Sequence, residues 1–226
     1  MVGVHSGCLV LVNARHPIRD ASRPALAPAA PGSGVLLEKR ASAMLTGALE
    51  RLGAVGEIVP VSGYRSEAEQ REIWDSSMAE NGEDFTRKFV AAPGCSEHQT
   101  GLAIDLALRA EDIDFIRPDF PYDGVCGRFR EIAPDYGFIE RYPAGKEDIT
   151  GIAAEPWHFR YVGRPHARLM RDMGLTLEEY VEFLRGYPYP GRLLSTSNGG
   201  YDALIGFARS YDEPEAHRAP CQVSGN

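Results

Sequence analysis

The sequence predicts an α+β fold with a central antiparallel β-sheet flanked by helices. Short β-branched and aromatic runs alternate irregularly with amphipathic segments, not in the strict strand–helix rhythm of a doubly wound parallel sheet. Several of the returns between them are short and hairpin-like. The 226 residues suit one domain of ordinary size with a short appendage, long enough to bury a core without covalent staples.

The elements follow in chain order. Residues 9–12 read as a short strand ending at Asn13, and the Pro- and Ala-rich stretch 21–34 reads as a loop. Leu36, Leu37, Met44, Leu45, Ala48 and Leu49 recur at helical spacing, which predicts a helix over 35–52 stopped by Gly53. Residues 58–62 are a β-branched strand. It turns through Gly63-Tyr64-Arg65 into a helix capped by Ser66, with Glu69 completing a capping box, and that helix ends near Asn81-Gly82. After a loop at 91–94, residues 101–108 form a buried strand carrying Asp105 among apolar neighbours. A helix is expected over 129–136 and a strand over 138–141. Residues 158–162 alternate as a strand, and the helices 165–173 and 176–185 are separated at Gly174, the second capped by Thr176 and Glu179. The composition then shifts. Asn198-Gly199-Gly200 marks a hairpin turn, so residues 1–186 read as the main domain and 187–226 as an extension with a β-hairpin and a frayed tail from Asp212.

Charge and composition exclude some functions. The balance of 24 basic against 32 acidic residues gives a net charge of −8, which argues against a nucleic-acid partner. Membrane insertion is not expected, because no stretch approaches the roughly 18 apolar residues of a membrane span. The early apolar run, Cys8 to Val12, is too short for an export signal, so the expected location is the cytoplasm. Cys8, Cys95, Cys126 and Cys221 contain no CxxC pair and are expected as free thiols in that compartment. The sequence carries no mark of a particular oligomeric state.

Chemistry concentrates in three segments. In Ser96-Glu97-His98-Gln99-Thr100-Gly101-Leu102-Ala103-Ile104-Asp105, a turn at Gly101 can bring His98 back beside the strand bearing Asp105. An imidazole and a carboxylate suit zinc, and a carboxylate buried among Leu, Ala and Ile needs a partner. A salt bridge or backbone donors would also satisfy Asp105. In Glu155-Pro156-Trp157-His158, Pro156 disfavours helix for Glu155, so this is not the helical HExxH arrangement. His158 as a third ligand leaves a coordination position for water, and Glu155 is placed to take its proton. The third segment, Ser62-Gly63-Tyr64-Arg65-Ser66 with Gln70 beyond it, puts Arg65 where a guanidinium can face a developing oxyanion.

Together these segments resemble the VanY-type D-alanyl-D-alanine carboxypeptidases. The pattern SxHxxGxAxD is met by Ser96, His98, Gly101, Ala103 and Asp105, and the pattern ExWH by Glu155, Trp157 and His158. Leu11-Val12-Asn13, His16-Pro17 and residues 175–180 are similar to the soluble VanXY-type subgroup of combined dipeptidases and carboxypeptidases. The resemblance implies a hedgehog/D,D-peptidase-like sheet with a cleft holding one zinc ion on His98, Asp105 and His158. It implies Glu155 as general base and Arg65 as oxyanion stabiliser. Ser96, Gln70 and Tyr64 would hold the substrate and Trp157 would shape the pocket. The substrate implied is a small peptide ending in D-Ala. An L,D-carboxypeptidase or endopeptidase with the same ligand set, and a non-catalytic zinc module, are the competing expectations. Glu155 and Arg65 together favour an enzyme.

Overall fold

The structure is a computed structural model and describes residues 7–19, 23–189, 191–198 and 201–208. In chain order it forms β1 (Leu26–Pro28), β2 (Leu36–Glu38), α1 (Lys39–Leu52), β3 (Ile58–Ser62), α2 (Glu67–Asn81), α3 (Glu83–Phe89), β4 (Ala103–Leu108), α4 (Gly124–Ile132), β5 (Phe138–Tyr142), α5 (Glu147–Thr150), β6 (Glu155–Tyr161), α6 (Arg164–Met173), α7 (Leu177–Leu184), β7 (Pro188–Tyr189), β8 (Leu194–Asn198), β9 (Tyr201–Ile205) and β10 (Phe207–Ala208).

The central sheet has the order β3-β4-β6-β5, and every pairing in it is antiparallel. The register sets Ala103 opposite Arg160, Ile104 opposite Phe159 and Asp105 opposite His158. Opposed residues share a face and neighbours along a strand alternate. The two middle strands therefore present Asp105, His158 and Arg160 on one face and Ile104 and Phe159 on the other. The apolar face belongs to the core, where Phe159 meets Phe120 and Phe129 edge-on at 5.4 and 5.1 Å. Leu45 and Leu49 of α1 lie in the same cluster.

The helices begin and end where local chemistry directs. The Glu38 side chain accepts from the first amides of α1, and Gly53 closes that helix in the left-handed conformation. Ser66 with Glu69 and Thr176 with Glu179 complete reciprocal capping boxes on α2 and α7.

Several sequence expectations need correction. Residues 9–12 do not form a strand; the carbonyls of Cys8 and Val10 instead accept from Nη2 of Arg160. The loop expected over 21–34 contains β1. It pairs with β2, which takes the residues expected to open the first helix; Leu37 is buried from a strand and not from a helix. Helix α3 has no counterpart among the expected elements, because its seven residues offer only one apolar i,i+4 pair, Phe85 with Phe89. The helix expected over 129–136 starts at Gly124 and tightens to a 3-10 turn over Ala133–Tyr136, where Pro134 lacks an amide donor. Glu155 is itself the first residue of β6. The β5–β6 register slips between Glu140 and Tyr142, an irregularity of the kind that accommodates a strand proline such as Pro156.

Toward the C-terminus, β8 and β9 pair antiparallel from Leu194↔Ile205 to Asn198↔Tyr201, and β10 runs parallel to β7. Ile205 and Phe207 join the main core. The turn residues Gly199-Gly200, the tail from Asp212 and Cys221 lie outside the described residues. Cys95 and Cys126 are free thiols. Among the described residues, no helix is long and apolar enough to cross a membrane.

Candidate active site

Asp105 and His158 come together because they are direct cross-strand partners on β4 and β6. His98 reaches them from the 3-10 turn Glu97–Thr100, which Gly101 ends with φ 71°, a left-handed value suited to glycine. One ligand atom from each of His98, Asp105 and His158 lies within 4.8 Å of the others, and all three residues are buried.

The ring orientations are fixed from outside the cluster. His98 Nδ1 lies 2.8 Å from the carbonyl oxygen of Gly63. A carbonyl only accepts, so Nδ1 carries the proton and Nε2 presents a lone pair. That lone pair faces Asp105 Oδ2 at 3.2 Å. Burial, with Arg65 adding to it, lowers the His98 pKa to about 4, so the ring is neutral near pH 7. A neutral imidazole lone pair against a carboxylate oxygen is repulsive unless a cation lies between them. On the other side, His158 Nδ1 is 2.9 Å from Asp105 Oδ1. Burial disfavours charge on His158, yet Asp105 and Glu97 beside the ring raise its pKa to about 9, so a proton stands there where a metal would displace it. Two imidazoles and one carboxylate are a sound zinc set with coordination left over for water, so these residues fit a divalent ion.

Glu155 Oε2 lies 3.7 Å from His158 Nδ1. The residue is 7% exposed, and burial pushes its carboxyl up to about 8. A carboxyl with a pKa near neutrality can both take and return a proton. Arg65 lines the same cleft, held by its backbone amide on the carbonyl of His98. Its Nε is buried without a hydrogen-bond partner, and burial lowers its pKa, opposed by Asp105 and Glu155.

The cleft also receives Ser96, Gln70 and Trp157, whereas Tyr64 is not among the residues lining it. Gln70 Nε2 donates to the carbonyl of Ala91 at 2.7 Å, which leaves Oε1 buried without a partner. Sequence reasoning missed Tyr142, whose ring stacks obliquely on His158 at 4.9 Å, and the apolar wall of Ile73, Phe89, Ile116 and Ile152. Neither has a local motif. Glu97 lies inside the first motif, yet nothing in the sequence alone assigns it a role.

A buried acid of raised pKa, set beside a trio of ligands suited to a metal and an arginine, is the equipment of a metallopeptidase, and fold and cleft assign the chain to that class. Comparison names the family: the chain belongs to the VanY family of D-alanyl-D-alanine carboxypeptidases, whose model matches residues 37–164. The bifunctional D-Ala-D-Ala dipeptidase and D-Ala-D-Ala carboxypeptidase VanXYC of Enterococcus gallinarum is 44% identical over 179 residues, covering 78% of this chain and 94% of that protein. The crystal structure of the vancomycin resistance D,D-dipeptidase VanXYg, in complex with a D-Ala-D-Ala phosphinate analog, superposes with a TM-score of 0.89. It is 49% identical and covers 92% of this chain and 84% of that one. The D,D-pentapeptidase VanY of a VanB-type resistance cassette, a mutant form in complex with Zn(II), gives a TM-score of 0.66 at 34% identity, covering 77% of this chain and 98% of that one.

Proposed function

We propose that this chain is a zinc-dependent D,D-peptidase that hydrolyses the D-Ala-D-Ala dipeptide and removes the terminal D-Ala from peptidoglycan precursors, as in vancomycin-type resistance. The observation that carries this reading is the cross-strand pairing of Asp105 with His158 beneath the lone pair of His98, with Glu155 at the same point. The similarity to VanXYC and VanXYg supports the substrate.

His98, Asp105 and His158 would hold one zinc ion, which acidifies a water molecule and polarises the scissile carbonyl when bound. Glu155 accepts the proton of the attacking water and delivers it to the leaving amine of D-alanine. The guanidinium of Arg65 faces the oxygen on which negative charge develops. Ser96 and Gln70 contact the peptide in the cleft. Gln70 Oε1 is an acceptor and so matches a substrate N–H better than a carboxylate. Trp157 forms part of the wall. Residues 1–186 carry all of these groups, and 187–226 are read as an extension of that unit. The cytoplasm is the proposed site of action, in keeping with the similarity to the VanXY-type proteins.

The decisive experiment measures zinc content together with D-alanine release from D-Ala-D-Ala and from L-Ala-D-Ala, before and after chelation and zinc repletion. Expected is chelator-sensitive, zinc-restored release from the D,D substrate alone. Equal or greater release from L-Ala-D-Ala would replace the D,D assignment with an L,D one.

A further inference from the structure

Glu97 is 2% exposed and has no part in the proposed hydrolysis. Its Oε1 accepts from Arg141 Nε at 2.8 Å and lies 2.7 Å from Arg160 Nη1. Its other oxygen, Oε2, faces His158 Nε2 at 3.7 Å, and neither of those two buried atoms has a hydrogen bond. That gap is about 0.8 Å longer than a hydrogen bond and closes with a small tilt of the ring.

The surroundings of Glu97 extend far from the cleft. Arg141 grips Glu178 of α7 with two bonds of 2.6 and 2.8 Å, and Glu178 in turn accepts from Asn13. Both arginines are fully buried. Such a buried ionic group is a poor device for stability alone, because well-packed apolar residues of similar volume often serve as well or better. His158 supplies a different reason for it. The ring turns Nδ1 toward Asp105 and Glu155, so Nδ1 can act as a metal ligand only if the ring proton sits on Nε2. A buried N–H needs an acceptor, and Glu97 Oε2 stands opposite it.

Resting on the metallopeptidase reading above, we infer that Glu97 is a positioning residue: its carboxylate, clamped by Arg141 and Arg160, fixes the His158 proton on Nε2 and keeps Nδ1 free as the third metal ligand. A carboxylate behind a ligating histidine commonly contributes 10–100-fold to metal affinity. Glu97→Gln should reverse the arrangement. The two arginines require an acceptor at the Oε1 position, so the amide nitrogen would turn toward His158, set a donor against the Nε2 proton and favour the wrong tautomer.

The test titrates zinc into the metal-free full-length protein and its E97Q and E97D variants, and records the ¹⁵N–¹H spectrum of the zinc-loaded unsubstituted protein. Expected is a zinc affinity about 10–100-fold weaker in E97Q, partly restored in E97D, with a slowly exchanging proton on His158 Nε2 and a metal-shifted Nδ1. Equal zinc affinity in folded E97Q, or a spectrum with the proton on Nδ1, overturns the inference while leaving the peptidase reading intact. Failure of the unsubstituted protein to bind zinc sinks the peptidase reading itself. The spectrum requires no substitution, so it decides the matter even if E97Q fails to fold.

Discussion

Glu97 and Glu155 stand on opposite sides of the His158 ring, 3.7 Å from Nε2 and 3.7 Å from Nδ1 respectively, and both are buried. Burial pushes both carboxyls upward. At Glu97, Arg141 and Arg160 more than cancel that push and hold the group well below the ordinary carboxylate range. At Glu155 the compensation is weaker and the carboxyl stands at about 8. Desolvation alone therefore does not decide which acid can exchange protons; the balance of cations and carboxylates around it does. The site divides accordingly into a clamped side, formed by Glu97, the arginines and α7, and a reactive side, formed by Glu155, Arg65 and the cleft.

The largest expected effect comes from the point where the two sides meet. Asp105→Asn should lose zinc on purification and reduce D-alanine release to background, measured by metal analysis and an amino-acid assay. Retention of both would remove Asp105 from the ligand set. Next, Glu155→Gln should keep zinc yet lower turnover by at least about 10²-fold. Near-normal turnover in that variant would erase the distinction between the two glutamates. A smaller loss is expected for Gly63→Ala. Any Cβ there would overlap the carbonyl of Leu36, and the same glycine supplies the acceptor that orients His98. Destabilisation of about 1–3 kcal/mol by denaturant titration, with weakened zinc binding, is anticipated. Last come the twin caps. Thr176→Ala and Ser66→Ala each remove a capping box worth about 1 kcal/mol. Helix α7 on the clamped side buries Leu177, Tyr180, Val181 and Leu184, whereas α2 buries only Gln70 and Ser77 among its described residues. The threonine variant should shift the global unfolding midpoint. The serine variant should mainly raise amide exchange in α2 and disturb KM, and the opposite ordering would show that α2 is the more deeply integrated helix.

The reactive side is far more legible in the sequence than the clamped side. His98, Asp105, Glu155 and His158 sit in two compact motifs whose spacing survives folding, because a single turn at Gly101 and a single strand pairing bring them together. Strands β3, β4 and β5 are legible from their apolar patterning, and α2 and α7 from their caps. Glu97 is not, since its partners Arg141 and Arg160 are 44 and 63 residues away and look like ordinary surface arginines until the register of β5 and β6 is known. The run at 9–12 misleads for a related reason. Its apolar residues do enter the core, but the Val10 carbonyl, like that of Cys8 just before the run, accepts from the Arg160 side chain and not from a neighbouring strand. Strand β1 is hidden by Pro28 and by a length of only three residues.

The attachment of Arg160 to the carbonyls of Cys8 and Val10, and of Arg141 to Glu178, has a practical consequence for anyone shortening the protein. Both tethers end outside the stretch 37–164 that matches the family model. A recombinant fragment trimmed to that stretch would keep the residues of the two motifs but release both guanidinium groups from their outer anchors. The minimal working enzyme should therefore be defined by where these tethers attach, and not by where sequence similarity stops.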